Sequence, residues 1–155
     1  MTTLNPQVSV TRPANTTQYA AGEVVGHETG DALEFFSESS GVIKAVLLID
    51  SAAEATKPEL DLFLFAAEPT VANDNAAFAP TDAQMKDLVA AFSFVGTSGT
   101  NFKTGATGNG AMQQTGFEIA YAAPERKLYG VLVARNAYTP VSAEVFTVKL
   151  TLQSD

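Results

Sequence analysis

Val145-Phe146-Thr147-Val148-Lys149-Leu150-Thr151-Leu152 decides the fold class. In an extended chain Phe146, Val148, Leu150 and Leu152 fall on one side, and Val145, Thr147, Lys149 and Thr151 fall on the other. One side is apolar and the other mostly β-branched or polar, the pattern of a half-buried strand. The alternation recurs upstream. Leu60, Leu62 and Leu64 interleave with Asp61, Phe63 and Phe65, and Phe117, Ile119 and Tyr121 with Glu118 and Ala120. Tyr129, Val131 and Val133 alternate with Leu128, Gly130, Leu132 and Ala134, so both sides are apolar and a central strand is expected. Val42 to Ile49 also reads as central, Leu88 to Val95 as a further strand, and Gln7 to Thr11 and Ala32 to Phe36 as shorter ones.

About eight strands result, parted by joints such as Ser39-Ser40-Gly41, Lys57-Pro58 and Ala123-Pro124-Glu125. Many short strands without long helices between them predict an all-β fold, an antiparallel β-sandwich or jelly roll with at most one short helix. That helix is expected after Thr81, whose hydroxyl and Gln84 have the spacing of a capping box opening a turn or two to about Asp87. Two stretches read as irregular. Gly96 to Gly110 holds five glycines and only Phe102 to bury, which predicts a long mobile loop. Glu68 to Pro80 reads as an Asn/Ala-rich linker. The whole of 1–155 is expected to be one domain, with residues 1–12 as an N-terminal arm.

Composition narrows the function. The absence of cysteine excludes thiol catalysis, Cys-based zinc sites and iron–sulfur clusters. Nine Lys and Arg against 17 Asp and Glu leave a charge of −8, with the cations scattered, so neither nucleic acid nor an anionic membrane is an expected partner. The first residues lack a cationic and an apolar region, and the densest apolar run is too short to span a bilayer. A soluble protein made in the cytoplasm is expected.

Motifs for catalysis fail one by one. A Ser-His-Asp triad would have to use His27, which sits in the polar turn Gly26-His27-Glu28-Thr29-Gly30, and no nucleophile elbow is present. Lys103-Thr104 has Phe102 where a phosphate-binding loop needs glycine, and Gly105, Gly108 and Gly110 lack the dinucleotide spacing. Asn73-Asp74-Asn75 reads as a turn, since a calcium loop needs more oxygens at alternating positions. Asp50, Glu54, Glu59 and Asp61 read as solvated surface around a strand joint. No catalytic residue, metal ligand or cofactor is therefore expected. Tyr19, Tyr129 and Tyr138 lie near strand ends, where they pack at the core rim or stack on a partner.

Three stretches resemble a family of small tailed-bacteriophage virion proteins. They are Val8 to Val25, with Thr11-Arg12-Pro13-Ala14-Asn15-Thr16-Thr17 followed by Tyr19-Ala20-Ala21-Gly22; Leu62 to Thr70 with the Asn73-Asp74-Asn75 turn and Ala76-Ala77-Phe78; and Leu128 to Leu152, with Ala137-Tyr138-Thr139-Pro140. Together they cover about half the chain. The resemblance implies a capsid decoration (cement) protein on the outside of the head shell. It also implies the major capsid protein as partner, a homo-oligomer (trimer or dimer) as the working form, and no catalytic residues. Val8, Val10, Arg12, Tyr19, Phe102 and Tyr138 are the expected partner contacts, from the N-terminal edge and the loops. The alternative is a tail- or baseplate-associated carbohydrate- or host-binding module, which would call for an exposed aromatic platform.

Overall fold

The computed structural model describes residues 1–52, 57–95, 101–103 and 110–154, with backbone alone for 101–103. Among the described residues ten strands are present: β1 (Thr2–Leu4), β2 (Gln7–Thr11), β3 (Leu33–Phe36), β4 (Ser40–Asp50), β5 (Leu60–Phe65), β6 (Leu88–Phe94), β7 (Asn101–Lys103), β8 (Gly110–Ala122), β9 (Lys127–Ala134) and β10 (Val145–Ser154). One helix, α1 (Asp82–Met85), lies between β5 and β6. Its capping box forms as expected: the Gln84 backbone N–H donates to Thr81 Oγ1 at 3.3 Å, and the Thr81 N–H to Gln84 Oε1 at 2.9 Å.

Every pairing is antiparallel, in a six-stranded sheet (β1 and β2 on β10, then β4, β8, β7) and a four-stranded sheet (β3, β9, β5, β6). The pairing chooses between sandwich and jelly roll. β2 pairs with β10, β3 with β9, β4 with β8 and β5 with β6. The first half of the chain thus meets the second in reverse order, as one long ribbon folded back between β5 and β6. Successive rungs of that ribbon lie alternately in the two sheets. This is an eight-stranded jelly roll to which β1 and β7 are short additions.

The alternation that predicted β10 is the alternation of its burial. Phe146, Val148, Leu150 and Leu152 are solvent-free, and the intervening residues are half-buried. They pack into a core with Phe35, Leu60, Leu62, Leu64, Phe92, Phe94, Leu128 and Leu132 of the facing sheet. Burying each such side chain stabilises the fold by about 1.5–3 kcal/mol relative to leaving it exposed. β9 is central and apolar on both sides because its outer face is covered too. Tyr129, Val131 and Val133, with Phe65, carry a second cluster capped by Val24, Val71, Ala72 and Phe78. The 68–80 segment is therefore a cover for the sheet as well as a linker.

Three expectations need correction. Residues 1–12 are not a free arm: β1 and β2 both pair with β10, and Val10 is fully buried because it faces the core while Ser9 and Thr11 face out. Asn5-Pro6 interrupts this edge, where the Pro6 carbonyl still accepts from the Leu150 N–H at 3.0 Å. β8 begins seven residues before the apolar alternation that announced it, because its polar first half pairs with Ala45 to Asp50 of β4. Part of the stretch expected as a loop is strand β7, paired with Gly110 to Met112. Residues 96–100 and 104–109 of that stretch lie outside the described residues.

Candidate functional site

At one end of the roll the segment after β2 runs beside the segment before β10. The Arg12 N–H donates to the Glu144 carbonyl at 3.0 Å, and Tyr19 and Tyr138 exchange backbone hydrogen bonds at 2.8 and 3.3 Å. Arg12 lies beneath both segments with 1% of its surface exposed. Its Nε donates to the Tyr19 phenol oxygen at 2.6 Å, and its Nη1 donates to the carbonyls of Asn15 at 2.8 Å and Val141 at 3.1 Å. Its Nη2 reaches Asn15 Oδ1 at 3.2 Å and Asp74 Oδ2 at 3.4 Å. A buried guanidinium costs several kcal/mol of lost hydration, which only a nearly complete set of acceptors and a counter-charge offsets. Here the fork is filled.

Asp74, carried by the segment that covers the four-stranded sheet, completes the knot. Its Oδ1 accepts from the Tyr19 hydroxyl and from the Gly26 N–H, the latter at 3.0 Å. The turn that carries it is the expected one: Asn75 has φ 62°, a left-handed conformation that asparagine tolerates, and its Nδ2 donates to the Gln18 carbonyl at 3.0 Å. Burial, and then the hydrogen bond to the Asp74 carboxylate, hold the Tyr19 phenol well above its ordinary pKa, so it stays protonated. Tyr138 stacks on Tyr19 with ring centroids 6.4 Å apart, and its hydroxyl lies 2.6 and 2.7 Å from the Glu144 carboxylate oxygens. The Val141 N–H donates to Glu144 Oε2 at 3.2 Å.

Above this brace the loops present a crown. Residues 14–18 are all exposed, as are Thr139, Val141, Ser142 and Ala143. The charged groups that fix the crown are sealed beneath it, so the arrangement positions a surface.

The expected contact residues divide accordingly. Val10, Arg12, Tyr19 and Tyr138 are all buried: the last three meet in the brace, and Val10 packs in the core. Val8 is half-buried against the core, and the side chain of Phe102 lies outside the described residues. Tyr129 packs in the second cluster with its hydroxyl 2.7 Å from Glu125 Oε2. The acidic group does not converge either, and one member reverses its reading. Asp50 is buried rather than solvated, paired with Lys57 at 3.2 Å and accepting from the Ala52 N–H at 2.8 Å. Glu59 accepts from Asn136 Nδ2 at 3.0 Å, Asp61 faces Arg135, and Glu54 lies outside the described residues. His27 is half-buried, and its carbonyl accepts from the Asp74 N–H at 3.0 Å. Among the described residues no group of three His, Asp or Glu is placed to hold a metal ion, and no helix is long and apolar enough to cross a membrane.

No protein-family model matches the chain, and no curated protein matches it. Solved structures similar to it include phage and virus capsid proteins. One is a chain of the cyanophage Pam1 capsid asymmetric unit, at 12% identity over 98% of this chain and 85% of that one, with a TM-score of 0.42. Another is the PRD1 vertex protein P5, at 11% identity over 96% and 97%, with a TM-score of 0.38. A third is the CBM36-1 domain of a multidomain xylanase from the hindgut metagenome of Trinervitermes trinervoides, at 6% identity over 98% of each chain, with a TM-score of 0.36. With TM-scores below 0.5, these likenesses carry no functional inference.

Proposed function

We propose that the chain is a phage virion structural protein, and within that class a decoration (cement) protein that binds and stabilises the outside of the head shell. The observation that carries this reading is a convergence. Arg12 and Tyr19 come from the first stretch that resembles the virion family, Asp74 from the second, and Tyr138 and Glu144 from the third. The strings that make the resemblance are thus the parts of one brace, and the brace fixes one exposed crown. Preorganising a loop surface reduces the ordering entropy lost on docking, which suits a protein whose role is to bind. The fold alone supports no such choice, because jelly rolls occur in viral capsid and lectin domains alike.

In this reading the partner is the major capsid protein, and the bound form is a homo-oligomer, a trimer or dimer. The site of action is the capsid surface, after synthesis in the host cytoplasm. The role is binding rather than catalysis, and neither nucleic acid nor membrane is a partner. Modest contacts repeated over a lattice give strong attachment through avidity. Sedimentation of the protein with capsids that lack it tests the proposal. The tail- or baseplate-associated alternative predicts instead a gene among tail genes and no affinity for empty heads.

A further inference from the structure

The cover over the four-stranded sheet stops short of the end of β5 where Asp61 lies, and leaves a cleft of about 330 Å3 there. Phe63, Phe78 and Val133 form its apolar wall, and Asp61 and Arg135 its polar one. The two phenyl rings are half-buried, 5.6 Å apart between centroids and tilted by 47°, so ring surface remains open to the cleft. The polar wall is pinned. Arg135 Nη1 donates to Asp61 Oδ1 at 2.9 Å and lies 2.8 Å from Ser93 Oγ, which itself donates to Asp61 Oδ1 at 2.6 Å. Asp61 Oδ2 and the Nε and Nη2 of Arg135 have no partner among the described residues. Asp61 is 23% exposed and Arg135 39%, so an acceptor and a donor fork remain available to solvent or a ligand.

The geometry points to a binding site for a neutral saccharide ring. The charge on Arg135 is already matched by Asp61, in a chain of net charge −8, so an anion gains little here. A cation would have to sit beside the guanidinium. A wholly apolar ligand would strip water from a carboxylate and a guanidinium without replacing it. A sugar satisfies both walls: its C–H face lies against the phenyl rings, while adjacent hydroxyls donate to Asp61 and accept from Arg135. The volume lies at the lower end of the range of about 300–1,000 Å3 for small-molecule sites, which fits one ring better than a long chain. The inference stands independently of the decoration role, since a sugar site on the sheet face is compatible with any position on the virion.

The test is amide chemical-shift titration of the intact chain with D-glucose, D-galactose, D-mannose and N-acetyl-D-glucosamine, with D-galacturonate as the charged control. The expected result is saturable shifts for at least one neutral sugar, centred on Asp61, Phe63, Phe78, Val133 and Arg135. Asp61→Ala should weaken that binding at least tenfold, and Phe78→Leu, which keeps an apolar cover but removes the ring face, should weaken it too. Both variants should retain the strand spectrum, and Asp61→Ala should still sediment with capsids if the protein does. Absence of saturable shifts up to tens of millimolar, shifts centred elsewhere, undiminished binding by Asp61→Ala, or preference for the galacturonate would each overturn the proposal.

Discussion

Arg12 Nε donates to the phenol oxygen of Tyr19 at 2.6 Å, with both side chains closed to solvent. The pair ties the end of β2 to the crown, and Asp74 supplies the counter-charge. Replacing Arg12 with Met keeps the length but strands Asp74, its buried partner. Removing one member of a buried pair costs about 3–5 kcal/mol, or a drop in melting temperature of roughly 6–20 °C in a domain of this size. Urea denaturation of Arg12→Met against the parent protein measures it. A loss below about 1 kcal/mol would show that the knot is peripheral to stability.

Truncation separates the two parts of the N-terminal edge. Removing residues 1–5 takes away only β1, whose three residues pair with the end of β10, and a folded protein with a small loss of stability is expected. Removing residues 1–12 also deletes Val10 and Arg12, and with them part of the core and the centre of the brace. Collapse of the near-ultraviolet circular dichroism signal is expected for the longer deletion alone. An intact signal there would restore the free-arm reading.

Tyr129 gives the alkaline limit of the fold. The hydrogen bond to the Glu125 carboxylate, and then burial, push its pKa up from 10.0 to about 12. The folded state therefore holds the phenol proton that the unfolded chain has begun to lose. The contribution is complete below pH 10 and declines as pH rises from about 10 to about 12. Tyr19 is shifted in the same direction and adds to the slope. Thermal melts across this window should show a falling midpoint, and Tyr129→Phe should flatten the fall. An unchanged slope in that variant would remove Tyr129 from the explanation.

Gly130 tests the packing between strands. A Cβ built there meets Phe35 Cε2 at 2.8 Å and Leu62 Cδ1 at 3.3 Å, both inside the core. Gly130→Ala should therefore destabilise by about 1–3 kcal/mol through overpacking, although alanine is ordinarily the better strand residue. A stabilised variant in chemical denaturation would mean that β9 sits farther from β3 and β5.

What the sequence disclosed follows the range of the interactions involved. Strand alternation is local, so β10, β9, β5 and β4 were readable from side-chain type alone, and the capping box of α1 is read within four residues. The first half of β8 carries no apolar stripe because Gln113, Gln114 and Thr115 are exposed or half-buried, with Met112 as its one large side chain in the core. Its partner on β4 supplies the order. The brace was hidden for a different reason. Arg12 and Asp74 are 62 residues apart, and each alone reads as a surface charge. Tyr19 and Tyr138 were singled out for their place near strand ends, but only the roll shows that they stack inward. The one sequence signal of the knot was that its residues fall within the three stretches that resemble the virion family.

The most direct test of the decoration role is sedimentation of expanded capsids lacking this protein after mixing with the purified chain. The expected outcome is saturable binding at a fixed ratio to capsid subunits and greater resistance of the particles to heat, since a ligand specific for the assembled state stabilises that state. Thr16→Arg combined with Ser142→Arg places a charge on each loop of the crown at exposed positions outside the hydrogen bonds of the brace, and should weaken binding while leaving the melting temperature of the free protein unchanged. No binding to capsids, with saturable binding to tails, would contradict the decoration role and establish the alternative.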